Sequence, residues 1–339
     1  MIWALLAPLA AGALLGGLGP RLARATSPGL VARVVPATCV LVAASTGLSL
    51  SVFAVLVTAR ARPLAGLGHL STAALPWPYP QIPAQVGVAV AVVVVVLLGA
   101  SLAASASTGR ELAAAQQACR ELGHRPDGVH VLADSRPRAV AVLGLPGRVV
   151  LSTGMVALLS AGELDAVVAH ERAHLRRRHH LGVVAMRLAA IADPLLRPMV
   201  AVTEHAVERE ADEDAALVVG DRRTVARAVI RASLAGAGSP RPGGPEDRSA
   251  LAATAGDAPR RVEALLEPAR PPRRAALIPL LALALVAGGA GISNAVATDR
   301  HLDAARSAWM ATAPVQTAPG KTAPGKTAPR QAPPGEIDD

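Results

Sequence analysis

An α-helical integral membrane protein is the fold class this sequence predicts, with about four transmembrane helices and an α+β domain between the third and the fourth. Three observations predict it. Hydrophobic residues make up 52% of the 339 and charged residues only 17%, against roughly 25% charged in ordinary soluble domains, and the mean hydropathy is +0.39. Four segments approach the about 20 apolar residues that a bilayer crossing needs. Between the last two stands His170-Glu171-Arg172-Ala173-His174, an H-E-x-x-H sequence within a helical pattern. On a helix, residues four apart share a face, so both imidazoles can reach one metal ion.

The spans are read at 2–19, 34–59, 82–106 and 275–297, the third including the unbroken apolar run 88–100. Pro279 is tolerated in the first turn of the fourth. None carries an internal Asp, Glu, Lys or Arg, so none looks like an ion or proton pathway. The first is not a cleaved signal peptide, because its arginines, Arg21 and Arg24, follow the apolar run instead of preceding it. The positive-inside rule then puts the N terminus outside and the 21–33 loop in the cytoplasm. By alternation the 60–81 loop is outside, 107–274 cytoplasmic and the C-terminal tail extracytoplasmic. Trp77 and Tyr79 suit the outer interface.

A net charge of +9 could suggest nucleic acid. The arginine clusters instead fit a juxtamembrane surface facing anionic lipid. No helix-turn-helix, zinc-finger or aromatic RNA-binding signature accompanies them, so no direct nucleic-acid binding is expected. Cys39 and Cys119 sit in different regions without Cys-x-x-Cys spacing, which implies neither a disulfide framework nor a thiolate metal site.

Residues 107–274 suffice for one domain with its own core. A helix is expected over 109–122, then short strands at 129–132, 139–143 and 149–152. Asp127-Gly128 and Pro146-Gly147 give the turn signals. These predict a small, mostly antiparallel sheet. Its edge could hold an extended chain by strand addition, or the strands could simply support the helix that follows. Ser160 and Glu163 form a capping-box pattern, and Leu164, Val167, Val168 and Leu175 supply an apolar stripe, so the H-E-x-x-H sequence falls on a well-signalled helix. The stretch 181–202 is apolar but interrupted by Arg187, Asp193, Pro194, Arg197 and Pro198. It reads as a core or interfacial helix ending near Asp193, with a second helix beyond. Residues 236–259 read as a loop, and 298–339, with its Thr-Ala-Pro-Gly-Lys repeats, as a disordered tail.

Catalytic zinc takes three protein ligands and leaves a position for water. His170 and His174 supply two, with Glu171 placed as general base for the attacking water. A carboxylate of a neighbouring helix should supply the third. Glu204, Glu208 and Asp212 share one face there, Glu210, Glu213 and Asp214 point elsewhere, and spacing alone does not choose among the first three. His179, His180 and His205 are expected to be exposed or hydrogen-bonded, not ligands.

The pairing of His-Glu-Arg-Ala-His-Leu-Arg-Arg-Arg-His-His with Glu208-Arg-Glu-Ala-Asp-Glu-Asp-Ala some thirty residues later resembles the membrane-embedded gluzincin peptidases. These are family M56, the BlaR/MecR group, and the related family M48 with the HtpX and Ste24 proteases. The resemblance implies a zincin-like metalloprotease domain with one Zn2+ held by His170, His174 and Glu208. It makes Asp212 the residue that orients a ligand histidine. Three spans before the domain and one after lean towards M56, although the penicillin-sensor domain of the antibiotic receptors has no counterpart after the fourth span. The implied activity is a zinc-dependent endopeptidase on the cytoplasmic side, and the implied partner a winged-helix repressor of the BlaI/MecI type. HtpX-like quality control of membrane proteins and a non-catalytic signalling scaffold are the competing readings. The Ala-, Arg- and Pro-rich composition is of the kind found in high-GC bacteria.

Overall fold

The computed structural model describes residues 2–59, 65–66, 68–73, 83–237, 257–268 and 274–312. Among these residues, four helices are long and apolar enough to cross a membrane. They are α1 (Ile2–Ala23), α2 (Pro28–Thr58), α3 (Ala84–Glu121) and, after six further helices, α10 (Ile278–Thr312). Between α3 and α10 lie the strands β1 (Val129–Leu132), β2 (Ala139–Val142) and β3 (Arg148–Ser152). The helices α4 (Thr153–Leu158), α5 (Ala161–Arg177), α6 (His179–Ala192), α7 (Pro198–Val219) and α8 (Arg222–Ala237) follow, and α9 covers 257–266.

Two elements extend beyond their expected limits. The third span and the helix expected over 109–122 are one helix, α3. Nothing in the Ala/Ser-rich join breaks it, and Ser101 and Ser105 bond back to Leu97 and Ser101 carbonyls one turn earlier. Its far end supports the domain: Cys119 Sγ lies 3.4 Å from the Pro146 carbonyl oxygen, and a Cβ on Gly144 would stand 2.5 Å from that sulfur. The fourth span likewise continues to Thr312, so 298–312, read from sequence as disordered tail, is helical. That stretch is Ala-rich and holds no proline, whereas the Pro-rich repeats begin beyond it. The repeats, Trp77, Tyr79 and the loop residues 238–256 lie outside the described residues.

The sheet is mixed, which corrects the expectation of a mostly antiparallel one. Its order is β1-β3-β2, with β1 parallel and β2 antiparallel to β3. The chain reverses twice, and the last strand, not the middle one, takes the centre; β3 is buried along its whole length.

The interrupted stretch after α5 folds into a helical hairpin. α6 runs to Ala192, Pro194–Leu196 make one 3-10 turn, and α7 returns. Asp193 and the prolines stop α6 and reset the chain. This hairpin packs into the spans: α2 contacts α1, α3, α6, α7 and α10. One core unites Leu15 of α1, Val35 and Cys39 of α2, Met186, Leu196 and Met199 of the hairpin, and Leu280 of α10. The hairpin tip reaches Thr46, whose hydroxyl donates to Asp193 Oδ2 at 3.0 Å. That point lies about 27 Å along α2 from its start, at 1.5 Å per residue. The other carboxylate oxygen accepts the Leu195 N–H at 3.1 Å, so a charge-bearing group among apolar helices keeps its partners. Glycines of α1 make room for the tip. A Cβ on Gly12 would stand 2.8 Å from Asp193 Oδ2, and one on Gly16 would run into the Leu195 carbonyl oxygen. A second, smaller core of Ala166, Ala169, Ala215, Val225 and Leu265 joins α5, α7, α8 and α9.

Gly16→Val is therefore expected to lower the unfolding midpoint in detergent, with an overpacking cost of about 1–3 kcal/mol. Gly17→Val, at a position with nothing within 4 Å of a Cβ, should leave the midpoint in place, and thermal melts of the two proteins check the contrast.

Candidate metal centre

α5 begins with Ser160, whose N–H donates to Glu163 Oε2 at 3.0 Å and whose hydroxyl donates to the same oxygen at 2.9 Å. Glu163 is only 2% exposed and also accepts from Arg231 Nη1 at 2.8 Å. The first turn of α5 is thereby clamped to α8. Two turns on, His170 and His174 point to the same side, their Nε2 atoms 3.0 Å apart. α7 crosses beside them and brings Glu208, whose Oε2 is 3.5 Å from His170 Nε2 and whose Oε1 is 3.6 Å from His174 Nε2. One donor atom from each residue lies within 4.8 Å of the others.

This donor set fits a metal ion. Two neutral imidazole lone pairs facing each other at 3.0 Å repel unless a proton or a cation sits between them, and the carboxylate spans the same point. Two His and one Glu, approached from one side, are a set that catalytic zinc accepts. Of the three carboxylates that helical spacing left open, Glu204 faces away and pairs with Arg187 at 2.6 Å. Glu208 is the one beside both imidazoles.

Asp212 is fully buried, and its Oδ1 lies 3.0 Å from His170 Nδ1, off the line of a good hydrogen bond. It is held by a residue that sequence reasoning missed. Arg261 of α9 donates from Nε to Asp212 Oδ2 at 2.8 Å and from Nη2 to Oδ1 at 2.7 Å. Its Nη1 reaches Glu208 Oε2 at 2.9 Å. One guanidinium thus ties the candidate ligand carboxylate to the carboxylate behind the other ligand, a use that suits its planar fork. Burial alone would raise Asp212, but Arg261 and His170 hold it well below the usual carboxylate range. Burial would likewise raise Glu208, and its contacts with His170 and Arg261 hold it down to about 2. His170 answers in kind: burial would lower it, yet Asp212 and Glu208 outweigh that and raise it to about 10. His174, by contrast, is pushed down to about 4 by burial and by the charge on His170.

Glu171 is half-buried and faces β2, where the Ala141 N–H donates to it. Burial raises its pKa, the neighbouring Glu208 adds to the rise, and His170, Ala141 and Arg261 oppose it only in part. The carboxyl is thus a better proton acceptor than an exposed glutamate. Of the other histidines, His179 is buried and bonded to His174 and Glu210. His205 pairs with Asp257 at 2.6 Å. Glu210, Glu213 and Asp214 pair instead with arginines or His179 around the site.

Residues 106–269 match the model of Peptidase family M48. The matched stretch takes in the end of α3, the sheet and helices α4–α9, so it contains every residue of the centre, Arg261 included. A peptidase domain is present there, and the match supports a metallopeptidase function. The resemblance in sequence leaned towards M56; the matching model is that of M48. No curated protein and no solved structure matches the chain.

Because His170 keeps its second proton up to a pH of about 10 in the metal-free protein, zinc must displace it at neutral pH. Calorimetric titration in buffers of different ionisation enthalpy should show release of about one proton, and affinity should fall as the pH is lowered. Arg261→Ala leaves Asp212 buried with only His170 beside it; an unfolding free energy lower by about 3–5 kcal/mol is expected from denaturant titration.

Proposed function

We propose that this protein is a membrane-embedded, zinc-dependent endopeptidase. The observation that carries the reading is the convergence of His170 Nε2, His174 Nε2 and the Glu208 carboxylate on one point, inside a stretch matched to a peptidase family. Zinc held by these three residues supplies Lewis acidity towards the scissile carbonyl and the attacking water. Asp212, backed by Arg261, keeps His170 turned to the centre. Glu171 takes a proton from the attacking water on its carboxylate and passes it to the leaving amine. Among the described residues β2 pairs only with β3, so no strand covers its other edge, where Ala141 meets Glu171. An extended substrate can add there as a further strand, with its peptide bond carried past the carboxylate.

The centre works on the cytoplasmic side in this reading. Support comes from Arg21, Arg24 and Arg33, which flank the α1–α2 turn at the same end of the bundle as Glu210 and the start of α10. Two substrate classes follow. The spans on either side of the domain favour a regulatory protease that cuts a winged-helix repressor of the BlaI/MecI type. The M48 match favours membrane-protein quality control of the HtpX kind, and the hairpin buried among the spans would bring the centre close to the bilayer surface.

Glu171→Gln should lower cleavage by about 10²–10⁴-fold while zinc content stays at one per chain. Mapping new protein N termini in host cells that express either protein checks both points of substrate choice. A single Glu171-dependent cut in a DNA-binding repressor supports regulation, and many cuts across membrane proteins support quality control. Equal cleavage by a purified Glu171→Gln protein would overturn the assignment of the base.

A further inference from the structure

Behind the candidate ligand His174 lies a chain of contacts that the peptidase chemistry does not use. α5 ends at Arg178, whose left-handed conformation (φ 53°) turns the chain sharply into α6. The turn brings His179 back beneath His174. Their Nδ1 atoms are 3.1 Å apart, with the rings edge to face at 4.9 Å between centroids. His179 is 5% exposed, and its Nε2 lies 3.1 Å from Glu210 Oε2. The other oxygen of Glu210 accepts from Arg33 Nη2 of α2 at 3.1 Å and faces Arg177 Nη1 at 3.6 Å. It also lies against the first turn of α2, where a Cβ on Gly29 would stand 2.5 Å from it. A glycine there lets the carboxylate approach the positive end of the helix dipole.

We propose that His179 and Glu210 form a positioning relay that fixes the tautomer and tilt of His174, and that Arg33 and Gly29 anchor the relay to membrane helix α2. The proton bookkeeping allows one arrangement. A neutral His174 that offers its Nε2 lone pair to a metal must carry its proton on Nδ1. The acceptor facing that proton is His179 Nδ1, so His179 carries its own proton on Nε2. That proton points at Glu210, an acceptor only. His174 donates to His179 and His179 donates to Glu210, and the lone pair that remains on His174 is the one turned to His170 and Glu208. His170 is oriented by Asp212 and Arg261 from the peptidase domain; His174 is oriented from the membrane bundle. The two ligands on one helix therefore answer to two different parts of the molecule, and displacement of α2 relative to α7 weakens metal binding through Glu210.

The inference rests on the reading of His170, His174 and Glu208 as a metal centre, and its test separates the two. Full-length protein in detergent is stripped of metal and titrated with zinc against a chromophoric chelator, with the cobalt absorption spectrum as a report on ligand geometry. His179→Ala should weaken zinc binding by about 10–100-fold and alter the cobalt spectrum. His179→Gln, whose amide can accept from His174 and donate to Glu210, should recover most of the loss. Wild-type affinity in His179→Ala, or a glutamine variant as weak as the alanine one, would overturn the relay. A cavity at 179 can cost the fold, so Gly29→Ala is titrated beside it. Its methyl group displaces Glu210 from outside the site, and unchanged zinc binding there would overturn the link to α2. His170→Ala is the reference. If it binds zinc as well as wild type, the metal centre itself is misread, whatever residue 179 does.

Discussion

Two imidazole nitrogens held face to face 3.0 Å apart set the terms for the rest of this structure. Such an arrangement is unfavourable in a protein interior unless a positive charge lies between the nitrogens. It also requires the opposite edge of each ring to be tied down, or the rings would turn away. Asp212 takes one edge and His179 the other. Asp212 brings a charge that needs its own partner, His179 leans on the charge of Glu210, and the partners of both carboxylates reach far. Arg261 comes from α9 and Arg33 from α2. Removing one arginine would leave a desolvated carboxylate short of its main charge partner, a larger loss than the pair itself contributes. The centre therefore depends on elements from both ends of the sequence.

α7 is the element through which these requirements pass. Its first half packs in the core shared with α1, α2 and α10, with Met199, Ala206 and Val207 buried there. Its second half carries Glu208, Glu210, Asp212 and Asp214, then joins the smaller core of the domain through Ala215 and Ala216. A helix shared in this way cannot shift in the bundle without moving the site. The hairpin it forms with α6 also explains the composition of the stretch between the two motifs. That stretch must be apolar to lie among spans, yet it turns back before crossing, so it tolerates Asp193 and two prolines at its tip. Thr46 and the Leu195 N–H satisfy the carboxylate, and the Gly12 and Gly16 positions of α1 leave the space.

Much of this was legible in the sequence because local signals agreed. Apolar length marked the four spans, the Ser160–Glu163 pattern marked the start of α5, and turn residues bracketed the three strands. The spacing of His170 and His174 is a property of any helix. What stayed hidden was non-local. Strand order depends on which strand reaches the centre of the sheet, and short strands of similar composition do not encode that. The continuity of α3 from the span into the 109–122 helix, and the extension of α10 past 297, stayed hidden because the apolar run stops before the helix does; Ala and Ser sustain a helix without marking it as a span. Arg261 could not be found from spacing, since it lies some fifty residues beyond Asp212 across a Gly/Pro-rich stretch. Nor did sequence distinguish Glu210 from the surface acids around it. On a helical wheel it points away from Glu208, and that is the direction in which α2 lies.

The same geometry bears on how a peptidase domain can be coupled to a bilayer without placing extra spans between its two motifs. A domain attached only through α3 and α10 could tilt on its tethers, because inter-element contacts of modest area permit relative motion. Here the hairpin inserts its apolar face into the bundle, and the turn at Arg178 fixes α5 to that hairpin within a single residue. The arginines complete the attachment at the surface. Arg33 reaches in from α2, and Arg176 and Arg177 hold Asp214 at 3.0 Å each. Burial anchors the hairpin in depth, whereas these ion pairs fix its rotation, since charge-assisted bonds are directional and apolar packing is not. Rotation is the degree of freedom that matters for the site, because turning α7 about its axis would carry Glu208 away from both histidines.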